Sequence, residues 1–120
     1  MKLDLLLEGE VPAKKNSRVF NTRTHRSFPS SRYLNWHKQA VLDIKQQAKG
    51  KTFERCYISL IFCHGDKRRR DSDNGVSSVF DTLVDAGVIP DDNWNVITRH
   101  EVSNLYEKNN ACCVITIREV

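Results

Sequence analysis

Asp71 and Asp73 stand two residues apart, directly after the basic run Lys67-Arg68-Arg69-Arg70, and Asp91-Asp92 follow beyond one short apolar stretch. On an extended or pre-helical backbone, side chains two apart point to one side, so Asp71 and Asp73 can share a cation. Asp91 and Asp92 complete the set if the intervening segment is a helix that folds back beside the first pair. Hard carboxylate oxygens suit Mg2+, with Mn2+ as a substitute. Arg68, Arg69 and Arg70 bring guanidinium groups that can hold phosphates against a centre that otherwise repels them. Hydrolysis of a phosphodiester needs both kinds of charge side by side.

The same residues also have ordinary structural uses. Asp73 can N-cap a helix, Asp71 can answer the arginines in a surface ion-pair cluster, and Asp91-Asp92 can form a turn after Pro90. The distribution of charge favours the chemistry: no Lys or Arg occurs from 71 to 98, so converging acids would need something other than a neighbouring base to neutralise them. Asp81 and Asp85, four apart, are either supporting groups or solubilising charge. Trp94, close to Asp92, is a lid over the site, an interface anchor or a core tryptophan.

The elements that must position these acids follow from hydrophobic periodicity. Residues 54–64, ERCYISLIFCH, predict a strand that runs through Gly65 into the arginines, which puts the acids at a strand's carboxyl end, where sheets tend to bind ligands. A helix over about 74–86 buries Val76, Val79, Phe80, Leu83 and Val84 and ends at Gly87. Its N-terminus, flanked by Asp71 and Asp73, stabilises carboxylates. The clearest helix spans 32–49, where Tyr33, Trp36, His37, Ala40, Val41, Ile44 and Ala48 form one apolar face, with Ser30 or Ser31 as cap and Gly50 as stop. His37 on that face reads as a hydrogen-bonded core histidine. Residues 2–8 form a first strand, and 95–105 with 111–118 form an antiparallel hairpin around Lys108-Asn109-Asn110.

Between the first strand and the long helix lies a one-signed segment. From Lys14 to Arg32 there are six Lys/Arg and no acid, with Phe20 and Phe28 interleaved. Such a loop is suited to wrap a sugar-phosphate backbone through Lys14, Lys15, Arg18, Arg23 and Arg26, the bases releasing counterions and the aromatics offering stacking faces. Without a polyanion it would be a merely solvated loop. Residues 1–70 carry 16 Lys/Arg against 6 acids, whereas 71–120 carry 3 against 9, so the front half suits a polyanion and the back half a cation.

At 120 residues and 39% hydrophobic the chain is expected to make one domain, 1–120, large enough for a core yet small for an enzyme. Cys56, Cys63, Cys112 and Cys113 form no CxxC, and the four histidines fit no zinc spacing, so the cysteines read as small buried hydrophobes with free thiols. With no signal peptide or 18-residue apolar span, a cytoplasmic protein is expected, without membrane or small-molecule cofactor.

With those residues in place, the sequence resembles the RusA family of Holliday junction resolvases, the crossover junction endodeoxyribonucleases of bacteria and their phages, over nearly its whole length. The specific part is RRRDSDN, then FDTL, then DAG, then DD: basic run, Asp71-x-Asp73-Asn74, Asp81, Leu83, Gly87 and Asp91-Asp92. Gly9-x-x-Pro12 and Lys14-Lys15-Asn16 resemble the family's N-terminal segment. The resemblance implies that Asp71, Asp73 and Asp92 are the essential metal-site carboxylates. It further implies Mg2+-dependent cutting of four-way junctions in DNA recombination and repair. One departure stands out: where many members carry a catalytic lysine in the helix, this chain has Ser77. Either Lys14 or Lys15 reaches the site instead, or cleavage is slower or directed at another branched substrate. The expected fold is α+β, a mixed sheet of about four strands with two packed helices, acting as a homodimer that cuts two opposed strands. Two rivals are a non-catalytic junction-binding protein and a metal-dependent nuclease for other branched or single-stranded nucleic acid.

Overall fold

The computed structural model describes residues 1–14 and 18–120; Lys15, expected on DNA, lies outside the described residues. In chain order the elements are β1 (Lys2–Glu8), β2 (Arg18–Asn21), β3 (Arg26–Pro29), α1 (Ser31–Ala48), β4 (Cys56–His64), α2 (Val76–Asp85), β5 (Ile97–Tyr106) and β6 (Cys112–Glu119). β1, β6, β4 and β5 form one sheet in that order, with β4 parallel to β5 and the other pairs antiparallel. The result is an α+β domain with a mixed four-stranded sheet and two helices. Among the described residues no helix is long and apolar enough to cross a membrane.

Alternation decides which face of the sheet the helices cover. Leu3, Leu5 and Leu7 of β1, Ile58, Leu60 and Phe62 of β4, and Cys113, Ile115 and Ile117 of β6 point one way and are buried with Ile44 of α1 and Val79 and Leu83 of α2. Side chains two apart share a face, so the intervening residues line the opposite face, which neither α1 nor α2 covers. At the edge, α1 substitutes for a missing neighbour strand. The Gln47 amide accepts from the Leu6 N–H at 2.7 Å and donates to the Leu6 carbonyl at 2.8 Å, which blunts β1 as a pairing template.

The expected hairpin of the last two strands is not formed, because β4 lies between β5 and β6. Burial explains the order. β6 presents three wholly buried side chains and takes a central position, whereas β5 is mostly exposed and goes to the edge. The connection steps over the carboxyl end of β4: the Glu107 and Asn109 N–H groups donate to the carbonyls of His64 and Gly65 at 2.9 and 3.0 Å. A β-carbon on Gly65 would stand 3.4 Å from the Ala111 amide nitrogen, so the crossing is close.

Residues 18–29 of the basic segment form regular structure where their composition suggests an open loop. β2 and β3 pair as an antiparallel ribbon, turned by Asn21, whose side chain accepts from the N–H groups of Arg23 and Thr24. In α1 the Ser30 hydroxyl accepts from the Tyr33 N–H, and Lys49 and Gly50 end the helix at positive φ. α2 starts at 76 rather than 74, after Gly75 at φ 89°. A β-carbon there would meet Val11 at 3.1 Å and Phe62 at 3.3 Å. Gly75→Ala is therefore expected to cost about 1–2 kcal/mol, read from the urea unfolding midpoint.

Candidate active site

β4 ends at His64, and a polar brace fixes the loop that follows. The Glu10 carboxylate accepts from His64 Nδ1 at 2.9 Å and from Arg70 Nη2 at 2.6 Å, and Arg70 also reaches Asp66 at 3.0 Å. Asn104 Oδ1 of β5 lies 2.8 Å from His64 Nε2, and the Asn104 amide donates to the Ser72 carbonyl at 2.8 Å, between the two acids. The Arg68 amide, then the Arg70 guanidinium, hold Asp66 below the usual carboxylate range. Arg70, only 15% exposed, is thus committed to the loop's shape, whereas Arg68 and Arg69 stay exposed.

The acid turn closes through the Asn74 N–H to the Asp71 carbonyl at 3.0 Å and the Val76 N–H to the Asp73 carbonyl at 3.2 Å. Gly75 takes the N-cap position and no side chain among the described residues caps α2, so Asp73 is not engaged as a cap. It instead lines a cleft of about 300 Å3 with Lys14, Asn74, Ser77 and Asp92. Asp73 comes from before α2 and Asp92 from the loop after it. A second cleft of about 340 Å3 joins Lys14, Tyr33, Asp81, Asp85, Asp91 and Asp92.

Negative charge accumulates where these clefts meet. Desolvation against the cleft wall pushes the Asp92 carboxyl above the ordinary range, helped by its hydrogen bond with Asp91 and by the charges of Asp81 and Asp91. Asp91 also shapes its own turn, accepting from the Asp92 N–H at 2.7 Å and the Asn93 amide at 3.0 Å. Lys14 is the counter-charge: its ammonium donates to Asp81 at 2.7 Å. That hydrogen bond holds the lysine above its usual range.

The donor set fits a hard divalent ion. Asp73 and Asp92 share a cleft with Asn74, whose buried Oδ1 has no hydrogen-bond partner among the described residues, and the Asp92 carboxyl already bears the strain of like charge. Among the described residues no three such ligands stand together at metal-binding distances, and Asp71 is exposed and lines neither cleft.

The remaining sequence candidates divide by surroundings. Arg23 and Arg26 are exposed on the ribbon. Arg18 is exposed too and folds across it, donating to the Ser27 hydroxyl and carbonyl at 3.0 and 2.8 Å. Phe20 and Phe28 stand out with them. His37 is held between Asp85 at 2.6 Å and the Thr82 hydroxyl at 3.2 Å, so both Asp85 and the histidine are occupied. Trp94 is 80% exposed, which excludes the core role. The brace formed by Glu10, His64 and Asn104, and the buried Ser78, had no signal in the sequence, because each residue depends on partners distant in the chain.

The family described as Endodeoxyribonuclease RusA matches residues 8–118. The Crossover junction endodeoxyribonuclease RusA of Aquifex aeolicus (strain VF5) is 28% identical over 111 residues, covering 92% of this chain and 86% of the relative. The acid turn, the Asp91-Asp92 loop and the basic segment all fall inside the matched range, and this chain belongs to the RusA endodeoxyribonuclease family.

Proposed function

We propose that this chain is an endodeoxyribonuclease that resolves four-way DNA junctions in recombination and repair, a reading supported by its Aquifex relative, which is named a crossover junction endodeoxyribonuclease. The observation that supports this most is the meeting of Asp73 and Asp92 at one cleft beside an exposed basic surface. Asp73 and Asp92, completed by Asp71 and Asp91, would hold Mg2+ or Mn2+. When bound, the cation supplies charge to the phosphoryl oxygens and acidity to a water molecule. The chain's own residues do the rest. Arg68, Arg69 and the ribbon arginines, all exposed, grip the sugar-phosphate backbone, which positions one phosphodiester and carries no base preference. Trp94 and the ribbon phenylalanines offer faces to bases unstacked at a crossover.

Two opposed strands must be cut, so one cleft is insufficient. The uncovered sheet face suits a second copy of the chain: Leu6, Val114 and Ile61 line up across β1, β6 and β4, with Cys112, Cys63 and Leu105 in the next row. Leu6 and Leu105 are exposed there. A homodimer through this face has a two-fold axis, as two symmetric cuts require. Four unpaired thiols suit a cytoplasmic setting.

The test is competition between a labelled four-way junction and a matched linear duplex, with Mg2+ and with EDTA. Cleavage of the junction alone, only with metal, is the expected result. Retained binding with no cleavage would favour an architectural protein, and equal cutting of flaps or single strands a nuclease of different selectivity.

A further inference from the structure

We propose that Lys14 places its ammonium on the scissile phosphate during hydrolysis, held there by Ser78 and Asp81; this rests on the nuclease reading above. The backbone around Lys14 is tied to α2 by one side chain. Ser78, wholly buried, donates its hydroxyl proton to the Pro12 carbonyl at 2.6 Å and accepts from the Lys14 N–H at 3.0 Å. Loss of that hydroxyl would leave two backbone groups without their partner in a covered position, so the loop's place on the helix depends on it. From this anchor the lysine side chain runs to Asp81 at 2.7 Å, and Lys14 lines both clefts, the first with Asp73 and Asp92 and the second with Asp81 and Asp92.

A stability role is a poor explanation for such placement. The Lys14 and Asp81 side chains are 41% and 30% exposed, and an ion pair that open to water contributes little to folding. Chemistry has more use for it. Among the residues that line the first cleft Lys14 is the one base, so without it the protein itself would bring no cation to a phosphate there beyond the metal its carboxylates would hold. In hydrolysis the water oxygen bonds to phosphorus, the bond from phosphorus to the leaving strand's oxygen breaks, and the water's two protons end on the leaving oxygen and on solvent. Negative charge rises on the non-bridging oxygens meanwhile. An ammonium that keeps its proton and donates hydrogen bonds to one of them stabilises that charge more than it does the ground state. Asp81 keeps the lysine extended until the phosphate arrives.

The experiment uses single-turnover cleavage of a four-way junction at saturating enzyme, with affinity and thermal midpoint measured separately. Lys14→Ala is expected to slow cleavage at least about 100-fold with affinity changed less than about threefold. Lys14→Arg, which keeps a positive donor, should recover part of the rate. Ser77 lines the same cleft, so Ser77→Lys in the Lys14→Ala background should also restore cleavage. Ser78→Ala is expected to slow the wild type but to add nothing to Lys14→Ala, a coupling that a purely structural serine would not show. A Lys14→Ala rate near wild type, or a loss confined to affinity, overturns the assignment. The nuclease reading would then still stand if Asp92→Asn is inactive. A wild type that cuts no junction in Mg2+ overturns both.

Discussion

Asp92→Asn should lower junction cleavage by at least about 1,000-fold while the junction remains bound as tightly as before or tighter. Asparagine keeps the shape and one acceptor oxygen but removes the charge that a divalent ion needs, and it lessens repulsion of phosphate. The same substitution should stabilise the metal-free protein. The Asp92 carboxyl is raised above its ordinary range in the fold, so its contribution is favourable below the unfolded carboxylate range and is lost as pH rises through the folded value. Near pH 7 the ionised group therefore works against the fold, and Asp92→Asn should raise the thermal midpoint there. The gain should vanish in acid, where the wild-type group is protonated. Asp73→Asn should lose cleavage to a similar extent, because it faces the same cleft. A variant that is inactive and also unfolded would be recognised by the same thermal scan.

Removing the ribbon's charge should show in binding and not in chemistry. Arg18, Arg23 and Arg26 to Ala together are expected to weaken junction affinity about 100-fold at physiological salt. They should also flatten the dependence of log K on log salt by about two to three, since each phosphate neutralised by a cation adds roughly 0.9 to that slope. The ribbon is a paired two-stranded unit anchored by its own hydrogen bonds, and all three arginines are exposed, so their loss should leave the fold intact. Single-turnover rates at saturating protein should change little. Filter binding or fluorescence anisotropy across a salt series reads both the affinity and the slope; an unchanged slope would place the ribbon off the phosphates.

Much of this site is legible before the fold, for physical reasons that differ by residue. The apolar period of α1 and α2 and the apolar and aromatic run of β4 fix local structure directly, so the acids are expected at the end of β4 around the start of α2. Asp73 and Asp92 do share a cleft there. Asp71 carries the same local signal but lines neither cleft, a matter of turn geometry that residue spacing does not determine. Arg70 reads in the sequence as one of three equivalent phosphate binders. It differs because Glu10 and Asp66 converge on it, and a carboxylate as distant in the chain as Glu10 leaves no local trace. Adjacency in sequence suggests a hairpin of β5 and β6, which the sheet does not contain. The polar composition of residues 98–104 against the apolar 111–117 is the clue that β5 takes the edge. The ribbon is hidden by its lack of buried side chains, since hydrophobic alternation cannot report a sheet with no core.

The most direct measurement is the metal dependence of strand cutting on one four-way junction, each strand end-labelled in turn, under single-turnover conditions. The account predicts paired nicks at symmetric positions on two opposed strands when Mg2+ or Mn2+ is added, none in EDTA, and none with Asp92→Asn at a concentration where that variant binds all the junction. Nicks that persist in EDTA, or that the Asp92→Asn protein makes at the wild-type rate, would contradict it.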